Sequence, residues 1–277
     1  MALTLFRFQM YDSIARQTRL NIIKTARSVG SVHFGGSFSV TEILVAYYAP
    51  VIAKKLSFKD FIDRNTLVLS KGHCGLAVYA LLNAIGIVPD EKLATYCKDG
   101  GAFMGHIKRD PSLGIGWSTG SLGHGLSISM GLAGALRFAG KSGRVTCILG
   151  DGEMHEGSNW EALLHLSHDD KFPLTIILDN NKFLSLGATQ DIRPIEPIEA
   201  KIKDFSIQCA SVDGHNVEAL RQIIDKMEAV NQAFFINANT LKGKGISFTE
   251  GVTEWHAKRA SEQDLQRMEA ELKAGVA

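Results

Sequence analysis

Two polar clusters, each placed directly at the end of an apolar run, constrain this chain more than any other feature. Leu149-Gly150-Asp151-Gly152-Glu153 closes an apolar segment at 145–149, and Leu178-Asp179-Asn180-Asn181-Lys182 closes another at 174–178. Short apolar runs of this kind, bounded by polar residues, read as buried strands. In an open parallel sheet the C-terminal ends of the strands are where ligands bind. Gly150 and Gly152 let the backbone approach a phosphate closely. Asp151 offers a carboxylate and Asn181 an amide oxygen, hard donors suited to Mg²⁺ or Ca²⁺.

The rest of the chain predicts such a sheet. Ile14, Leu20, Ile22, Ile23 and Ala26 recur at helical spacing within 10–29. A Gly/Ser-rich stretch at 30–39 reads as loop, and 40–51 as a second helix. A short strand is expected at 66–69, with helices at 77–85 and 90–97. Residues 100–125, rich in Gly, Ser and Thr, read as a long functional loop. The helix expected at 126–140 carries Ser129, Gly131, Ala133, Gly134 and Ala135, small residues that permit close packing, often across an interface. From 145 onward the periods alternate: strands at 145–149, 174–178, 206–212 and 233–238, helices at 160–167 and 217–230. The fold class that follows is α/β, an open, mostly parallel sheet flanked by helices. No internal repeat or domain boundary is visible. Residues 1–277 are expected to form one domain with an N-terminal helical segment.

Composition narrows the function classes. A net charge of +1 gives no reason to expect a polyanion such as a nucleic acid as partner. Cys74, Cys97, Cys147 and Cys209 form no CxxC pair, as in a reduced, cytosolic protein. Arg7 interrupts the short apolar start, and no apolar run approaches the ~18 residues that span a bilayer. A cytoplasmic location without membrane contact is expected.

Four histidines stand in glycine-flanked or polar loops: His33, His73, His106 and His256. A single loop histidine is most often a surface residue. Four beside a candidate metal and phosphate site suggest donors to phosphate and sugar oxygens and proton carriers near neutral pH. The loop Gly116-Trp117-Ser118-Thr119-Gly120-Ser121-Leu122-Gly123-His124-Gly125 lets backbone groups reach a planar ring or a phosphate. Glu156 and Glu161 read either as carboxylates favoured near a helix start or as acids at a subunit contact. His124, His155, His165, His168 and His215 receive the ordinary surface reading.

These residues together resemble the N-terminal, diphosphate-binding half of transketolase, over about residues 10–265. The likeness is carried by the His33 loop, Leu69-Ser70-Lys71-Gly72-His73, Gly105-His106, the 118–123 loop, Gly150-Asp151-Gly152, Asn180-Asn181, Lys242-Gly243-Lys244-Gly245 and Trp255-His256. It is greatest to split transketolases, in which two chains supply the two halves. The resemblance implies the thiamine diphosphate-binding fold of the diphosphate (PP) type. It also implies transfer of a two-carbon ketol unit from a ketose to an aldehyde or aldose. Asp151, Asn181 and the Phe183 carbonyl would bind Mg²⁺ or Ca²⁺. His73, Gly150, Gly152, Glu153, Asn181 and His256 would surround thiamine diphosphate, with Gly120, Ser121 and Leu122 near its aminopyrimidine. His33, His106 and His256 would face the substrate, and Glu156 and Glu161 would lie at the subunit contact. Phe34, Ile107 and Ala257 depart from the usual pattern, and these changes leave the acceptor open.

The glutamate that such enzymes place against the pyrimidine ring lies in a second, pyrimidine-binding domain, and no second α/β unit is recognisable here. The expectation is a subunit inactive alone, paired with a C-terminal transketolase subunit in an α2β2 heterotetramer. The competing readings are another thiamine enzyme half, deoxyxylulose phosphate synthase-like or 2-oxoacid dehydrogenase-like, and a non-catalytic regulatory subunit.

Overall fold

Five strands form one parallel sheet in a computed structural model of the chain, which describes residues 2–168, 171–228 and 232–275. The chain opens with helix α1 (Ala2–Val29), strand β1 (Ser31–Val32), and helices α2 (Phe34–Ser39), α3 (Thr41–Ile52) and α4 (Phe58–Ile62). Strand β2 (Asn65–Leu69), α5 (Gly75–Ala84), α6 (Asp90–Leu93) and a long connection lead to α7 (Gly125–Phe138). There follow β3 (Arg144–Gly150), α8 (Gly157–His168), β4 (Leu174–Asn180), α9 (Thr189–Ile192) and α10 (Ile198–Asp204). The chain ends with β5 (Gln208–Asp213), α11 (Val217–Glu228), β6 (Phe234–Asn239), β7 (Lys258–Arg259) and α12 (Glu262–Ala274). The two-residue strands β1 and β7 pair separately, antiparallel.

The main sheet runs β2-β3-β4-β6-β5 with every pair parallel. Parallel strands need crossover connections, and the helices that make them cover both faces. The side chains of β3 show the result. Val145, Cys147 and Leu149 enter one apolar layer with α7 and α8, while Ile148 enters the other with α3 and α5. Strand β4 divides the same way, with Leu174, Ile176 and Leu178 against Ile177. Both strands are therefore buried along their whole length, which is why they read as continuous apolar runs. The register brings Leu69 opposite Ile148, Gly150 opposite Asp179, and Asn180 opposite Asn239. All the C-terminal ends thus share one rim.

The structure corrects several sequence readings. Residues 30–39 are not loop, since they hold β1 and α2, and every residue of α2 is buried. The helix expected at 90–97 stops at Leu93 and continues as turns. Helices α4, α9, α10 and α12 have no counterpart in the sequence reading. The last two residues of the helix expected at 217–230 lie outside the described residues. No helix among the described residues is long and apolar enough to cross a membrane.

Candidate active site

A cavity of about 490 Å³ opens at the C-terminal rim of the sheet. Asp151 follows β3 and Asn181 follows β4, so two neighbouring strands deliver both to its wall. Asp151 is buried; its Oδ1 accepts from the Gly152 amide at 2.9 Å and its Oδ2 from the Thr189 hydroxyl at 3.2 Å. Asn181 turns its amide nitrogen to Ser39 Oγ at 3.3 Å, and its Oδ1 accepts from the Phe183 amide at 3.1 Å. Phe183 lines the same cavity. A Cβ on Gly152 would stand 2.9 Å from Leu184 Cδ2, so a side chain there would require the end of Leu184 to shift.

Four segments bring the four histidines together. His33 immediately precedes α2, His73 lies in the turn after β2, His106 lies in the long connection, and His256 follows Trp255. The His33 ring centroid is 5.1 Å from that of His73, 5.6 Å from His256 and 6.2 Å from His106. Burial lowers the pKa of His33, and His106 and Lys71 add to the effect. Burial, then Lys71, takes His73 well below the usual imidazole value. His256 is pushed down to about 4 by burial and then by Lys242. These three rings are therefore neutral near pH 7. Each offers one N–H donor and one acceptor rather than a positive charge.

The cations come from two lysines that the motifs contained without a role. Lys71 and Asp179 form a buried ion pair beneath the cavity. Burial alone would lower the Lys71 pKa, but Asp179 holds it above the usual lysine value. Asp179 also accepts from Ser39 Oγ at 2.6 Å and from the Thr240 hydroxyl. Lys242 extends its amine to the Leu184 carbonyl at 2.7 Å, over the Phe183 ring. Its pKa is lowered to about 8 by burial and by Lys71. A lysine in a motif is visible in sequence, whereas its pairing across 108 residues is not.

The remaining predicted residues divide. Gly120, Leu122 and Gly150 line the cavity, and Gly120 packs against the His106 ring. Ser121 stands exposed outside the lining. Glu153 lines the cavity, yet its carboxylate accepts from the Ser70 hydroxyl, from the Gly123 amide at 2.9 Å and from the Gly150 amide at 3.3 Å. It braces the 120–123 loop against the strand ends. Glu156 and Glu161 are exposed, and a Cβ on Gly123 would meet Glu156 Cβ at 2.5 Å. Arg193 and Leu186, which carried no sequence signal, stand at the mouth of the cavity.

The donor set suits a hard divalent cation. Among the described residues no group of three or more His, Cys, Asp or Glu could hold a metal unaided. One carboxylate, one amide oxygen and one carbonyl would need ligand oxygens to complete a shell, as a diphosphate provides. Burial, with Asp179 nearby, raises the Asp151 carboxyl to about 6, so its charge lacks compensation that a cation would supply.

Residues 11–275 match the family model described as transketolase, thiamine diphosphate binding domain. A 6-deoxy-6-sulfo-D-fructose transketolase subunit from Clostridium sp. is 35% identical, covering 94% of this chain and 97% of that protein. An apulose-4-phosphate transketolase subunit from Actinobacillus succinogenes is 32% identical, covering 95% of this chain and 97% of that protein. The crystal structure of transketolase from Campylobacter jejuni shares the fold with a TM-score of 0.83 at 21% identity, covering 96% of this chain and 43% of that one. The chain thus spans about two fifths of the full-length enzyme and nearly the whole of the split-form subunits. It belongs to the transketolase family, as a thiamine diphosphate-binding subunit of the split, N-terminal kind.

Proposed function

We propose that this chain, with a second chain carrying a pyrimidine-binding domain, moves a two-carbon ketol unit from a ketose to an aldehyde or aldose. The observation that carries the reading is one cavity lined by Asp151, Asn181, Phe183 and the four clustered histidines. When bound, thiamine diphosphate supplies the nucleophilic carbon that takes up and releases that unit. Asp151, Asn181 and the Phe183 carbonyl would hold Mg²⁺ or Ca²⁺, and Lys242 adds positive charge on the same wall. His73, Gly152 and His256 would face the diphosphate, and Gly120 and Leu122 the aminopyrimidine. The neutral rings of His33 and His256, with His106 beside them, orient substrate hydroxyls and carry protons to and from them. Trp255 and Phe34, both buried, pack edge to face at 5.8 Å and fix the backbone next to His256 and His33.

The assembly proposed is an α2β2 heterotetramer in the cytoplasm, with Glu156 and Glu161 at the contact between subunits. The names of the two split-form relatives support a partner chain, since each is called a subunit. The test is ketol transfer by this chain, by its partner and by the mixture, each with thiamine diphosphate and Mg²⁺. Turnover is expected only in the mixture and is lost on chelation. Sustained turnover by this polypeptide alone would overturn the proposal.

A further inference from the structure

His215 occupies a place that a surface histidine does not. It follows β5 in the turn Asp213-Gly214-His215, behind the cavity wall, and its side chain is only 16% exposed. Its Nε2 lies 2.8 Å from the Leu241 amide nitrogen. A backbone N–H can only donate, so Nε2 is the acceptor and the ring proton sits on Nδ1. That Nδ1 is 2.8 Å from Glu42 Oε2 and donates to it. Glu42 is buried and held in a two-pronged pair with Arg19, at 2.6 and 2.8 Å. Arg19 also donates to the Phe38 carbonyl at 2.8 Å. The imidazole therefore has a fixed tautomer and a fixed orientation, set by charges on α1 and α3.

What the ring holds is the segment that reaches the cavity. Leu241 sits between Thr240, whose hydroxyl binds Asp179, and Lys242, whose amine spans to Leu184. Beyond it, the Gly243 amide donates to the Gly35 carbonyl at 3.0 Å, and Gly245 packs against the Arg19 side chain. The Leu241 amide anchors this turn to a side chain of the β5–α11 connection. Without an acceptor it would be left unpaired in a half-buried position, which costs more than the bond itself contributes.

We propose that His215 is a positioning residue: through the Leu241 amide it fixes the 240–245 turn, and so sets Lys242 at the coenzyme-binding wall and Thr240 against Asp179. The coenzyme part of this claim rests on the function proposed above; the placement of the turn does not. Two substitutions separate the two bonds of the ring. His215→Gln puts an acceptor near the place of Nε2 and gives up the bond to Glu42. His215→Asn keeps a donor toward Glu42 and leaves Leu241 without an acceptor.

The experiment uses the assembled complex and reads amide hydrogen exchange, thermal midpoint and thiamine diphosphate affinity by calorimetry. For His215→Asn, exchange at 240–245 is expected to speed up roughly tenfold and coenzyme Kd to rise by a similar factor, as for loss of one buried hydrogen bond. His215→Gln should stay within about threefold of the native protein in both readouts. If His215→Asn leaves exchange at 240–245 unchanged, the proposal fails. It also fails if both variants lose protection across the whole sheet with a matching fall in midpoint, since that marks a structural role only. Should the native complex bind no thiamine diphosphate, the proposed function falls, while the exchange arm still decides the placement of the turn.

Discussion

At the scale of single residues, the chemistry of the cavity is divided between groups that touch a ligand and groups that hold them. Asp151 belongs to the first kind. Asp151→Ala removes a charged oxygen donor from a buried wall, and coenzyme affinity in the presence of Mg²⁺ is expected to fall by at least roughly 100-fold, since loss even of groups that merely support ligands costs roughly 10–100-fold. Calorimetric titration of the complex checks this, and unchanged affinity would remove Asp151 from the metal set. Asp151, Asn181, His33, His73, His106 and His256 are legible in the sequence because each sits in a short motif whose residues are neighbours along the chain. Asp179 and His215 are not. Their meaning lies in partners 108 and 173 residues away, Lys71 and Glu42, and no local pattern records such pairings. The motif around Glu153 suggests a coenzyme contact, and Glu153 lines the cavity; that its carboxylate also accepts from Ser70, Gly123 and Gly150, and so braces the loop, is not legible in the motif.

At the scale of elements, glycine misleads more than any other residue. Gly35 and Gly36 suggest a loop, yet they lie in the buried helix α2. A Cβ on Gly36 would stand 2.7 Å from Cys74 Sγ, and one on Gly35 2.9 Å from Lys242 Cε. These glycines permit close approach, and tertiary packing overrides their low helix propensity. The start of α7 shows the same device. A Cβ on Gly125 would run into the Ser70 hydroxyl and lie 2.8 Å from Ser70 Cα. Gly125→Ala is therefore expected to destabilise the chain by about 1–3 kcal/mol, as overpacking does. Denaturant unfolding measures it, and a midpoint at or above the native one would contradict the packing argument. Helix α12, by contrast, carries a start signal in its sequence. Ser261 and Asp264 form a capping box in the structure, a variant of the Ser-x-x-Glu pattern that marks a helix start.

At the scale of the whole molecule, the parallel sheet is legible from alternation, while strand order is not, because neither period nor propensity says which strands are neighbours. The helical layer is tied to the sheet's far edge by the buried Arg19, Glu42 and His215 group, which joins α1, α3 and the β5–α11 turn. Burial opposes ionisation of Glu42, but Arg19 and His215 outweigh it and lower its pKa from 4.5 to about 2. A depressed carboxyl pKa contributes stability above the unfolded-state value and loses it as pH falls toward the folded value. The native chain should therefore lose its advantage over Glu42→Gln as pH falls from about 5 to about 2, an effect on the order of 3 kcal/mol. Unfolding midpoints of both proteins across that range test it, and a constant difference would show that folding does not lower the Glu42 pKa. His73, Asp151, Asn181 and Lys242 all leave the shared rim of the sheet on separate connections. A substitution at one of these four positions alters the cavity wall without replacing a member of either apolar layer, so lining and scaffold can change independently.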